Sequence, residues 1–290
     1  MSWRTVVISN NAKLDYQMGY LTVRGMETTR IHLNEIATLI VESTAVSMTS
    51  YLLSELMKHK IKVVFCDEKR NPSSELLPYY GSHDTSAKIR KQIKWTDDCK
   101  TAVWTEIVSE KIRNQEGLLR ELNRPEAELL QTYLQEIQFG DETNREGHAA
   151  KVYFNALFGK SFTRTEESPI NAALNYGYSL ILSAFTRQIA ANGYMTQIGL
   201  FHDNMFNPFN LASDLMEPYR PMVDRMVCEM MPEQFETDEK HRMVGLLQRE
   251  VVIGGRKEVL PNAIELYTRS VFDALNEEDV SQIKIYRYEL

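Results

Sequence analysis

The sequence predicts an α+β protein, with a small β-rich N-terminal domain at 1–82, a linker at 83–95 and a larger all-α C-terminal domain at 96–290. Two observations carry this. The first eighty residues break into short pieces rich in β-branched side chains and separated by turn residues, the pattern of strands. Beyond the basic stretch DTSAKIRKQIK, apolar residues recur at three- and four-residue intervals almost to the end, the period of helices laid on a core. With 290 residues, 43% hydrophobic and 25% charged, the chain has ordinary globular composition and length for two modest domains.

Taken in order, WRTVVIS, KLDYQ, GYLTVRG, TTRIHLNE and IATLIVES read as strands. The breaks at Asn10–Asn11, Gly19 and Gly25 suit antiparallel turns. MTSYLLSELMKHK shows helical spacing, with Leu52, Leu53, Leu56 and Met57 on one face and Ser47 as its expected cap. IKVVFCDE returns as a buried strand. KRNPSSELLPYYG, with two prolines and a terminal glycine, reads as the connector between domains. Five helical stretches follow, from WTDDCKTAVWTEIVSEKIRNQEGLLREL to LASDLMEPYRPMVDRMVCEMM, and the last segments keep the same spacing.

Composition narrows the function. The opening residues lack the charged head and apolar core of a signal peptide, and no apolar run reaches bilayer length. Cys66, Cys99 and Cys228 are far apart and in no metal spacing. A cytoplasmic protein with reduced thiols and no membrane contact is expected. The net charge of −7 hides separate blocks. Lys88, Arg90, Lys91 and Lys94 form one basic segment; Arg242, Arg249, Arg256 and Lys257 belong to a second. Either could track a phosphate backbone or be an ordinary solvated face.

No phosphate-binding glycine loop, dinucleotide fingerprint, nucleophile elbow or HExxH is present. Three other places draw attention. Glu146 opens the helical run REGHAAKVYFNALF on the face of Ala150, Tyr153 and Leu157. His148 lies roughly 200° around that helix and cannot readily join it. His202 sits between an apolar piece and a polar loop in IGLFHDNMFNPFN. Asp214 and Glu217 share a face if NPFNLASDLMEPYRP winds as a helix between its prolines. Singly, these are a first-turn acid, a structural histidine and a solvated helix face. Together, two or three carboxylates and one imidazole make a hard site suited to Mg²⁺ or Mn²⁺, the apparatus of phosphodiester chemistry.

REGHAAKVYF, SPINAALNYGYSLI and GLFHDNMFNPFNLASDLMEPYRPMVD, set in a β-then-α layout, resemble the CRISPR adaptation integrase family. The likeness spans the whole chain in layout and roughly residues 145–225 in motif. It implies catalytic metal ligands at Glu146, His202 and Glu217, with Asp214 as a supporting residue or alternative ligand. Many members carry Asp where Glu217 stands. Ser168 stands where relatives often have Asp, in a block read as helix packing. Arg220 either faces a phosphate near the metal or pairs with a carboxylate.

The implied reaction is a transesterification at a divalent ion. The 3′-hydroxyl of a captured DNA fragment attacks the leader–repeat phosphodiester, and branched DNA is also cleaved or resolved. The implied partners are double-stranded DNA (fragment and CRISPR repeat), a homodimer mate through the N-terminal domain, and a small dimeric companion bridging two dimers. The wording DLMEPYRP is similar to type II systems, which adds an effector nuclease. The rival readings are a stand-alone metal-dependent nuclease and a non-catalytic DNA-binding scaffold.

Overall fold

The computed structural model describes residues 4–77 and 82–287. The chain divides into two compact units, Met1–Tyr80 and Gly81–Leu290. Pro78 to Gly81 of the expected connector lie outside the described residues.

The first unit holds β1 (Arg4–Ile8), β2 (Ala12–Gln17), β3 (Tyr20–Arg24), β4 (Thr28–His32), β5 (Ile36–Val41), β6 (Val46–Met48), α1 (Ser50–Lys58), β7 (Lys62–Cys66) and β8 (Pro72–Leu76). They build two four-stranded sheets, ordered β1-β5-β7-β8 and β4-β3-β2-β6. β2, β3 and β4 form the expected antiparallel meander, with β6 added parallel to β2. The other sheet departs from expectation, because β1 and β7 both run parallel to β5. β5 explains why: it is buried at all six positions, as a central parallel strand must be. β8, inside the expected connector, pairs antiparallel with β7; its proline stands at the first position, where a strand tolerates one. Leu14, Leu21, Leu33, Ile36, Leu39, Leu52 and Leu56 form the centre of this unit's core. Thr49, not Ser47, caps α1: its Oγ1 accepts from Leu52 N at 3.2 Å, while Ser47 lies within β6.

The second unit runs α2 (Thr85–Gln92), α3 (Asp97–Glu121), α4 (Ala127–Gln135), α5 (Arg145–Phe158), α6 (Pro169–Ala191), α7 (Asn210–Leu215), α8 (Arg220–Met230), α9 (Thr237–Val244), β9 (Glu250–Ile253), β10 (Arg256–Val259), α10 (Leu260–Glu277) and β11 (Tyr286–Arg287). Two expectations are corrected. The supposed linker is helix α2, since 83–95 contains no Gly or Pro to stop one. The all-α reading misses a three-stranded sheet ordered β10-β9-β11.

α6 starts where Ser168 Oγ accepts from Asn171 N at 3.2 Å and Pro169 fills the first turn. It is buried along most of its length. At Gly177 a Cβ would collide with Val223 and Met243, so glycine lets α8 and α9 approach. Among the described residues no helix is long and apolar enough to cross a membrane, and none of the three cysteines forms a disulfide.

Candidate metal centre

Glu146 is placed by the start of α5. Asp141 accepts from the backbone N–H groups of Arg145 (2.7 Å) and Glu146 (3.0 Å), while Asn144 Oδ1 accepts from Gly147 N at 3.2 Å. These bonds satisfy helix-start donors and fix the first turn.

Glu217 is placed differently from the single helix expected. α7 ends at Leu215, Glu217–Tyr219 forms a 3₁₀ turn, and α8 begins at Arg220. Pro218 and Pro221 lack the N–H groups that would continue a ladder through this segment. The Pro218 carbonyl instead accepts from Asn114 Nδ2 and Tyr286 Oη, both at 3.0 Å. Tyr219 is buried against Phe185, Tyr267 and Tyr286, with ring centroids 4.6–5.3 Å apart. β11 therefore helps to anchor the turn that carries Glu217.

Between the two glutamates lies a residue that the sequence reading passed over. Lys111, buried on α3, pairs its ammonium with Glu146 and, at 2.5 Å, with Glu217 Oε2. Glu217 Oε1 accepts from Arg220 Nε at 2.8 Å. Burial pushes the Glu217 carboxyl upward, but Arg220 and Lys111 outweigh it and hold the pKa down at about 2. Burial also opposes the Lys111 charge, yet Glu217 and Glu146 raise its pKa above the ordinary lysine value. Arg220 thus takes the carboxylate-pairing alternative, and its guanidinium lies 4.7 Å from the Tyr178 ring centre.

Asp214 does other work. Its Oδ2 accepts from Leu200 N (2.6 Å) and Phe201 N (3.2 Å), and its Oδ1 from His202 N (3.1 Å); His202 Nδ1 stands 2.5 Å from Oδ1. A carboxylate has about four acceptor positions, and the protein fills them all. Asp214 thus does the supporting work of the two roles the sequence left open: it shapes the loop and orients the imidazole through Nδ1, so that Nε2 is the ring nitrogen turned away from it. The hydrogen bond to Asp214 raises the His202 pKa despite burial, and Glu217 adds to the rise. Gly199 is indispensable here, because a Cβ would strike the His202 carbonyl and the Asp214 carboxylate.

Among the described residues, no three His, Cys, Asp or Glu side chains close around one point tightly enough to hold an ion. Glu146 and Glu217 meet at Lys111, and His202 is fixed from Asp214. The donor set nevertheless fits a hard divalent cation. Two carboxylates already share a cation, the Lys111 ammonium, and Asp214 holds an imidazole oriented by its Nδ1.

Of the basic residues singled out, Arg90, Lys91 and Lys94 are exposed, and Lys88 pairs with Asp84 at 3.3 Å. α2 is bound to the segment before His202: Gln92 Nε2 donates to the carbonyls of Met195 (2.9 Å) and Ile198 (3.1 Å), and Gln92 Oε1 accepts from Met195 N (2.8 Å). Arg242, Arg256 and Lys257 are exposed, whereas Arg249 pairs with Glu229 at 2.7 Å. Sequence reasoning also missed Asp224, fully buried, which accepts hydrogen bonds from Tyr153 Oη (3.1 Å) and Tyr178 Oη. The signal was present: Lys111 among Trp104, Ile107, Val108 and Ile112, and Asp224 between Val223 and Val227, are charges on apolar helix faces.

Residues 5–250 match the family described as CRISPR associated protein Cas1. The chain is 32% identical to the CRISPR-associated endonuclease Cas1 of Neisseria meningitidis serogroup C (strain 8013), over 98% of this chain and 96% of that one. Among solved structures it shares its fold with a casposase bound to integration product, at TM-score 0.78 and 17% identity, covering 97% of this chain and 93% of the other. It also matches a partial Cas6-RT-Cas1–Cas2 complex at TM-score 0.67 and 18% identity, with 99% of each chain covered. A strand-rich first unit, a helical second unit that carries Glu146, His202 and Glu217, and a family match running through all three residues agree: the chain belongs to the Cas1 family of CRISPR-associated proteins.

Proposed function

We propose that this chain is a metal-dependent DNA integrase of CRISPR adaptation that inserts captured fragments by transesterification and also cleaves or resolves branched DNA. The observation that carries the reading is the burial of ionised Glu217 beside Glu146 around a shared cation, in a member of this family. Glu146, Glu217 and His202 Nε2 would hold Mg²⁺ or Mn²⁺, which when bound neutralises charge on a reacting phosphate and activates the attacking oxygen. Lys111 neutralises the same two carboxylates and so would compete with the ion for them. Asp214 keeps the His202 ring in place, and Arg220 keeps Glu217 in place.

In the proposed reaction a fragment's 3′-hydroxyl oxygen forms a bond to phosphorus at the leader–repeat junction. The bond from that phosphorus to the leader 3′-oxygen breaks, releasing a new 3′-hydroxyl. One phosphodiester replaces another, so the step is close to balanced in energy and reversible. Exposed Arg90 and Lys91 on α2, with Lys94 just after it, would hold backbone phosphates next to the segment leading to His202. The proposed assembly is a homodimer through the first unit, with a small dimeric companion bridging two such dimers. The neighbour named as a Cas1–Cas2 complex supports the companion. A type II system with its effector nuclease remains what DLMEPYRP implies.

The test is a branched DNA that mimics a half-integrated product, incubated with Mn²⁺, Mg²⁺ or EDTA beside His202→Ala and Glu217→Ala. A rejoined strand that needs metal and vanishes in both variants is the expected result. Nicking without rejoining transfers the argument to a nuclease. DNA bound but unchanged in every condition leaves only a scaffold.

A further inference from the structure

The loop after His202 is tightly built yet displays apolar side chains to solvent. Three asparagines pin its backbone. Asn204 Oδ1 accepts from Phe206 N at 2.9 Å, and the Asn204 carbonyl accepts from Asn207 N and Asn210 Nδ2, both at 3.0 Å. Asn207 Oδ1 accepts from Phe209 N at 3.0 Å. On this scaffold Met205 and Phe206 are 87% and 85% exposed.

Just before His202, Phe201 lies flat on Trp104, with ring centroids 4.5 Å apart and planes 1° from parallel, while remaining 58% exposed. One face of Phe201 is therefore taken and the other is open to solvent. His202 meets both rings edge-on at 5.8 Å. Trp104 is buried, and its Nε1–H has no acceptor among the described residues.

We propose that Phe201 with Met205 and Phe206 forms a base-stacking platform, which takes an unpaired nucleobase flanking the phosphodiester that reacts at His202. The inference rests on the functional reading above and adds a subsite to it. Three side chains are too few for a stable protein interface, which takes roughly 20–30 residues a side. They do suit one planar base, whose π-face stacks on an aromatic ring whatever its identity. The neighbouring charge agrees, because α2, bonded through Gln92 to residues 195 and 198, exposes Arg90 and Lys91 for the phosphates on which such a base is tethered. A pre-built apolar wedge also offsets the loss of stacking when a base leaves its duplex. Such a subsite would favour branched or frayed DNA, where that loss is small.

The test places 2-aminopurine at each nucleotide flanking the branch of the half-integrated DNA and records its fluorescence in EDTA, where no strand is exchanged. The wild type should change the signal of at least one flanking position about threefold or more on binding. The double variant Met205→Ala/Phe206→Ala, which alters only exposed atoms, and separately Phe201→Leu, which keeps bulk on Trp104, should each remove at least half of that change. Affinity for the whole DNA should hold within about threefold. With metal, the double variant should rejoin paired branches roughly tenfold more slowly, in line with the loss of one base stack, and recover on DNA with a mismatch beside the junction.

A wild type that rejoins strands yet leaves every flanking position unchanged overturns the platform and spares the integrase reading. So does a signal undiminished in both variants. A wild type that neither binds nor rejoins the DNA overturns both.

Discussion

A lysine between two glutamates is a strong statement at the scale of one residue. Lys111 is buried, and its ammonium neutralises Glu146 and Glu217 together. Removing one partner of a buried charge cluster leaves the others uncompensated, at about 3–5 kcal/mol. Lys111→Met should therefore lower the melting temperature in EDTA, and Mn²⁺ should raise it by more than it raises that of the wild type. A smaller Mn²⁺ shift in the variant would show that the carboxylates do not bind the metal. Asp224 poses a separate case. Burial lifts its carboxyl from 3.8 to about 6, against the hydrogen bonds of Tyr178 and Tyr153 and the charges of Arg220 and Lys111. An acid whose folded pKa is raised lends stability below its unfolded pKa and loses it as pH climbs through the folded one. The stability advantage of the wild type over Asp224→Asn should thus fall between pH 4 and 6, by at most about 3 kcal/mol, and be flat above. Urea midpoints at pH 4, 5, 6 and 7 decide it; an advantage that grows with pH contradicts the burial argument.

At the scale of elements, α2 joins charge to the site. Gln92, buried and bonded to the backbone at 195 and 198, holds it there, while Arg90, Lys91 and Lys94 stay exposed. If these three contact phosphates, replacing all three with alanine should reduce the slope of log affinity against log salt by up to about 2.7, at roughly 0.9 per contact. An unchanged slope on duplex DNA would remove α2 from the interface. The same helix shows what was legible beforehand. Helices α3 and α6 announced themselves by apolar period, and the strands of the first unit by β-branched runs. α2 did not, because its short charged sequence carries almost no apolar stripe. β9 and β10 are four residues each and β11 two, too short for alternation to register. The parallel pairing of β1 and β7 with β5 is a non-local choice that no single segment encodes. At the site, local patterns singled out Glu146, His202, Asp214 and Glu217. Which of them touch could not be read, since Lys111 reaches Glu146 from 35 residues away along the chain. Nor could the division of labour between Asp214 and Glu217, which turns on a 3₁₀ turn at Pro218.

For the whole molecule the open matter is assembly, and the first unit offers a surface for it. At one end of the sheet β4-β3-β2-β6, the β2–β3 turn carries Met18, which is 93% exposed. Beside it, Tyr20 begins β3 and stacks edge-on against His32, at 5.0 Å between ring centres. Tyr51 of α1 packs on Tyr16 at 5.3 Å and is itself exposed. Apolar side chains gathered at one sheet end are what a partner surface requires, whereas singly scattered ones need no explanation. If the proposed homodimer forms here, light scattering on the purified chain should give roughly twice 33.6 kDa. Met18→Glu combined with Tyr51→Ser should reduce it to the monomer mass, because a two-fold interface meets each change twice and buries the added charge against itself. The Mn²⁺ shift in melting temperature should persist, since Glu146, His202 and Glu217, the proposed ligands, all lie in the second unit. A variant that stays dimeric places the interface elsewhere. A variant that becomes monomeric and also loses the Mn²⁺ response would mean that the site is completed only in the dimer, and the second unit could no longer be treated as a self-sufficient metal centre.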